Sequence, residues 1–149
     1  MSDTLRSLFS ASPQALLDDD LPPNARSEKD LREAAGEVDG LQRVALGCIL
    51  LRHGLLHPAH DESQAISGPY GDWLHAIMHR MEGDYGNSHY WCRRAGGAEL
   101  YEQVSDEFTP AKLTDLVAGL HGQFTGEAAE AAQILQAREL EVLFEHSAG

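Results

Sequence analysis

Apolar residues recur along this chain at steps of three and four, the spacing of one helix face. The clearest series is Leu41, Val44, Ala45, Cys48, Leu51 and Leu55, which predicts a buried helix ending near Gly54. Thr109-Pro110 is a strong helix start, followed by Leu113, Leu116, Val117 and Leu120 on one face, with Gly122 ending the helix. Thr125 opens the last and longest helix, rich in Ala, Glu, Gln and Leu, which runs to about His146. Ser27 caps a helix reaching Ala35.

The middle of the chain is more broken. The strip His57-Pro58-Ala59-His60 turns the chain, and residues 61–66 form a short helix. Ser67-Gly68-Pro69 is a break, after which Asp72 caps a helix over 73–82. Gly83-Asp84-Tyr85-Gly86 is a tight turn, Asn87 caps the next helix to about Ala95, and another covers 98–107. At the start, Leu5, Leu8 and Phe9 suit one amphipathic turn, and Ser12-Pro13 opens a short helix over 14–17. No stretch alternates with period two. The expected fold is an all-α, single-domain bundle of six or seven helices over 1–149, with residues 1–26 as an N-terminal arm.

Composition narrows the function classes. Eleven basic residues against 24 acidic ones give a formal charge of −13. Nucleic-acid binding needs Lys and Arg to neutralise phosphates, so this balance argues against nucleic acid and against anionic membranes. Arg93-Arg94 is the only adjacent basic pair. The longest apolar run, 44–51, is far short of the roughly 20 residues of a membrane span. The start of the chain lacks a secretory pattern, and the two cysteines, Cys48 and Cys92, read as buried free thiols. A soluble, cytoplasmic, acidic protein is expected.

Candidate chemistry gathers in one segment. In Asp72-Trp-Leu-His75-Ala-Ile-Met-His79-Arg-Met-Glu82, positions 75, 79 and 82 share a helical stripe, and Asp72 begins it. Two His four apart on a helix can hold one metal ion with a carboxylate as third ligand, so His75, His79 and Glu82 are candidate ligands for a divalent transition metal. The metalloprotease pattern is excluded because Ala76 follows the first His. The same three residues are candidate catalytic groups, since His titrates near neutrality and a carboxylate fixes its tautomer. Plain structural hydrogen bonding is the alternative for each.

Residues 83–95 resemble the turn and second helix of a tetratricopeptide-repeat hairpin, with Ser88 and Ala95 at the small positions. A single unit does not make a repeat array. A wider pattern runs His60-x-x-x-Gln64, Pro69-x-Gly71, His75-Ala-Ile-Met-His79-Arg80-x-Glu82-x-Asp84-x-x-Asn87 and Tyr90-Trp91-x-Arg93. It resembles the signature of a family of uncharacterised helical proteins, over about residues 60–95. Ala59, Leu74 and Met81 depart from that signature. The resemblance implies no activity, only a site at His60, Gln64, His75, His79, Glu82, Asp84 and Asn87.

Bland roles stand beside these. Asp84 and Asn87 suit a turn and a cap, and Tyr90 and Trp91 suit a core or pocket wall. Arg80, Arg93 and Arg94 suit surface ion pairs, although an arginine buried near the histidines would favour an anionic ligand. The leading expectation is a small-ligand or metal site, of hydrolase or proton-transfer type, with His75, His79 and Glu82 at its centre. His60, Gln64, Asn87, Tyr90 and Arg93 are its candidate ligand-binding residues. The alternative is a non-catalytic helical protein–protein interaction module. A homo-oligomer packed through the final helix is also open.

Overall fold

The computed structural model describes residues 2–14, 17–18, 20–96 and 98–149. Among them the chain is all-helical, with nine helices: α1 (Ser2–Ala11), α2 (Glu28–Ala35), α3 (Gln42–Arg52), α4 (Leu56–Ala65), α5 (Pro69–Met81), α6 (Tyr85–Arg94), α7 (Ala98–Val104), α8 (Pro110–Ala118) and α9 (Glu127–Ala148). The expected six or seven is too few, because α1 and α4 are full helices and not a single turn and a short segment. The helix expected over 14–17 falls partly outside the described residues.

Local chemistry explains the starts. Ser27 accepts from the Asp30 N–H and Thr109 accepts from the Lys112 N–H, as the sequence predicts. Asp84, and not Asn87, caps α6 by accepting from the Asn87 N–H. Helix α5 starts earlier than expected, with Pro69 in its first turn after Gly68 at φ +123°, a region glycine enters without strain. Asp72 therefore lies inside α5 and does not cap it. Pro58 does not break the chain. It sits in the first turn of α4, where its missing N–H would have no helical partner anyway.

The core is built on α3 and α5. Both are buried nearly all round, from Val44 to Leu51 and from Trp73 to Met81. Such helices lie in an interior and not on a surface. Helices α4 and α6 flank α5, α9 packs on α3, and α8 bridges α6 and α9. The α4–α5 junction is tight: a Cβ on Gly71 would stand 2.5 Å from the Ile66 carbonyl oxygen. That close approach sets His60 on α4 opposite α5.

The N-terminal helix belongs to this core. Leu5 is fully buried, and Phe9 stacks on Phe144 with ring centroids 4.1 Å apart. The Arg52 guanidinium carbon lies 3.8 Å from the centroid of the Phe9 ring. Buried His53 secures the following segment. Its Nδ1 accepts from the Arg26 N–H at 2.9 Å, which leaves Nε2–H to donate to Ser12 Oγ at 3.0 Å. Ser12 in turn donates to the Leu8 carbonyl at 2.7 Å.

A buried polar cluster joins α5 to the last third of the chain. Fully buried Arg80 donates to both oxygens of Glu139, at 2.6 and 3.3 Å, to Thr114 Oγ1 at 3.0 Å and to the Pro110 carbonyl at 3.0 Å. The Trp73 indole N–H donates to Glu139 at 2.9 Å. Ser88 donates to the Ala76 carbonyl at 2.8 Å and lies 2.9 Å from Thr114 Oγ1. Arg80 is thus not a surface residue, and its carboxylate partner removes the argument for an anionic ligand.

Candidate functional site

Three imidazoles meet where α4 crosses α5. His75 and His79 follow each other along α5, with ring centroids 4.9 Å apart and planes 19° from parallel. His60 approaches edge-on from α4, 4.4 Å from His75 and 5.5 Å from His79. One ring nitrogen from each of the three falls within 4.8 Å of the others. A tetrahedral ion with bonds of 2.0–2.1 Å needs its nitrogens about 3.3 Å apart, nearer than the 4.8 Å within which these atoms lie.

Burial favours neutral rings at His75 and His60. Burial pushes the His75 imidazole down to about 3, and His60 and His79 add to the effect. His60 is lowered too, by burial first and by His79 second. Neutral imidazoles keep a free lone pair, the form that ligates metals. His79 has its own partner: Nδ1 lies 2.6 Å from Glu82 Oε1. This contact occupies Nδ1 and leaves Nε2 as the ring nitrogen not used in it. A carboxylate behind a ligating histidine fixes ring orientation and raises basicity.

This geometry rearranges the predicted donor set. His60, His75 and His79 form the near group, and Glu82 sits behind His79. A second group, His79, Glu82 and Asp84, also falls within 4.8 Å. Asp84 in that group is already occupied. Its two oxygens accept from the Asn87 backbone N–H and side-chain amide at 3.2 and 2.7 Å. These bonds, the side-chain one foremost, hold the Asp84 carboxyl below its ordinary range.

A cavity of about 280 Å³ opens beside His75. Gln64 and Ser67 line it together with Asp72, Ile66 and Trp91. Trp91 forms a wall by stacking on His75, with centroids 3.9 Å apart and planes 12° from parallel. Gln64, singled out by the signature, therefore reaches the site. Asn87, Tyr90 and Arg93 are placed otherwise. Asn87 is spent on the α6 cap, exposed Tyr90 accepts from Arg94 at 3.1 Å, and Arg93 lines a separate hollow with His89 and Cys92. Asp72, expected at the start of the His stripe, and Trp91, expected as a core or pocket wall, both line this cavity.

Compared with known proteins, the chain matches no family model, no curated protein and no solved structure. The resemblance over residues 60–95 therefore stands on its motif residues alone. No helix among the described residues is long and apolar enough to cross a membrane.

Proposed function

We propose that this chain is a metal-binding helical protein whose centre is the His60, His75 and His79 cluster. The observation that carries the reading is the convergence of three half-buried or buried imidazole rings from two helices, each offering a nitrogen within 4.8 Å of the others. Three imidazoles suit zinc, copper, iron or nickel over magnesium or calcium. Three protein ligands with a fourth position open is the arrangement of catalytic zinc sites. A metal held this way acts as a Lewis acid on water or a carbonyl, so metal-assisted hydrolysis is the activity class this reading favours.

Elemental analysis of tag-free protein is the direct test, paired with zinc titration of the apo form. One ion per chain, lost in His60→Ala and in His79→Ala, is the expected result. Zinc at a hundredfold excess over its dissociation constant should also raise stability by about 2.7 kcal/mol. Substoichiometric metal with no stability gain from zinc, copper, iron or nickel would end this reading.

A further inference from the structure

The cavity beside His75 has a chemistry of its own. Asp72, in the first turn of α5, puts a carboxylate into it, and no described residue donates a hydrogen bond to that carboxylate. Its pKa is raised by burial, with Arg94 opposing, which agrees with a carboxylate short of partners. The lining contains no Lys or Arg. Asp72 is the one carboxylate of this lining. Gln64 and Ser67 add neutral polar groups, and Trp91 adds an aromatic wall. A cation gains from a carboxylate, whereas an anion here would meet Asp72. The volume lies just under the usual range of ligand pockets, so the guest is small.

We propose that this cavity is a subsite for a small amine, its ammonium group bound by the Asp72 carboxylate beside Trp91. The proposal rests on the metal-centre reading for the far end of the ligand, which faces His75, and on the cavity alone for the ammonium end. Arg94 marks the rim. Its guanidinium carbon lies 5.8 Å from the Trp91 ring centroid, and its Nη1 donates to the Tyr90 hydroxyl at 3.1 Å. That bond holds part of its head group on Tyr90, while no described residue donates to Asp72.

The test uses the full ¹⁵N-labelled chain, titrated with ethanolamine and, separately, with glycolate as its acid counterpart. The reporters are the Trp91 indole N–H and the Gln64 side-chain amide. Ethanolamine is expected to shift both saturably with or without zinc, and glycolate is expected to shift neither. Asp72→Asn should weaken ethanolamine binding about tenfold or more, the worth of one charge-assisted hydrogen bond, with zinc uptake unchanged. His79→Ala should lose zinc uptake and keep the ethanolamine response, so the two readings fail separately. Glycolate shifts as large as those of ethanolamine would make this an anion subsite governed by Arg94 and overturn the proposal. So would an unchanged response in folded Asp72→Asn, or a response seen only in zinc-loaded protein.

Discussion

Glu82 holds His79 by the ring: its Oε1 lies 2.6 Å from Nδ1, three residues along the chain at the end of α5. Glu82 itself is exposed, so its removal leaves the core intact. Glu82→Gln keeps the shape and loses the charge that orients the imidazole. Zinc affinity should fall about 10–100-fold, with the thermal unfolding midpoint of the apo protein nearly unchanged. Isothermal titration of zinc into both proteins checks this, and equal affinities would deny Glu82 its supporting role.

Arg80 and Glu139 present a different balance. Both are fully buried, and neither charge has water to fall back on. Removing one partner strands the other. Glu139→Ala should therefore cost about 3–5 kcal/mol in urea unfolding. The double variant Arg80→Met, Glu139→Leu should lose less than the sum of its singles, because it leaves no stranded charge. Additive losses would show that the pair is not coupled.

Acid should loosen the anchorage of the N-terminal segment. His53 is depressed below its ordinary 6.5, by burial first and by Arg26 second. The unfolded chain thus takes up the proton more readily than the folded one. The stability this group contributes is present above pH 6.5 and is lost as pH falls through its lower folded value. His60 and His75 are shifted in the same direction. The urea midpoint should fall as pH is lowered from 7.5 to about 5. His53→Gln should flatten part of that dependence and weaken the protein at neutral pH, where the Arg26 and Ser12 contacts are intact. A pH profile identical to that of the parent would remove His53 from this account.

Phe9 carries much of the attachment of α1. It is buried between the Phe144 ring and the Arg52 guanidinium. Phe9→Ala should cost about 3 kcal/mol or more, the price of an aromatic cavity. Thermal unfolding followed by circular dichroism reads the loss, and a loss well under 1 kcal/mol would show that the arm is only loosely attached.

What the sequence shows and hides follows from the range of the interactions. Helix starts at Ser27 and Thr109 are readable because a cap involves residues three apart. The stripe of His75, His79 and Glu82 is readable because helical spacing alone makes it. The start of α5 is not, because Asp72 resembles a cap and the true entry depends on the conformation of Gly68. Pro58 looks like a break, yet the first turn of α4 tolerates it. The partner of Arg80 lies 59 residues away, and no local pattern announces it. The approach of His60 to His75 depends on how closely α4 passes α5, a distance set by Gly71. Glu62, buried between Arg32 at 2.7 Å and Arg43 at 3.3 Å, is hidden for the same reason.

The Arg80–Glu139 contact also constrains the order of events at birth. Helix α5 carries an arginine that becomes acceptable inside the protein only when α9 brings its carboxylate. Until α9 docks, that arginine has only water to satisfy it, so the face of α5 that carries it closes after the chain through Glu139 has been made.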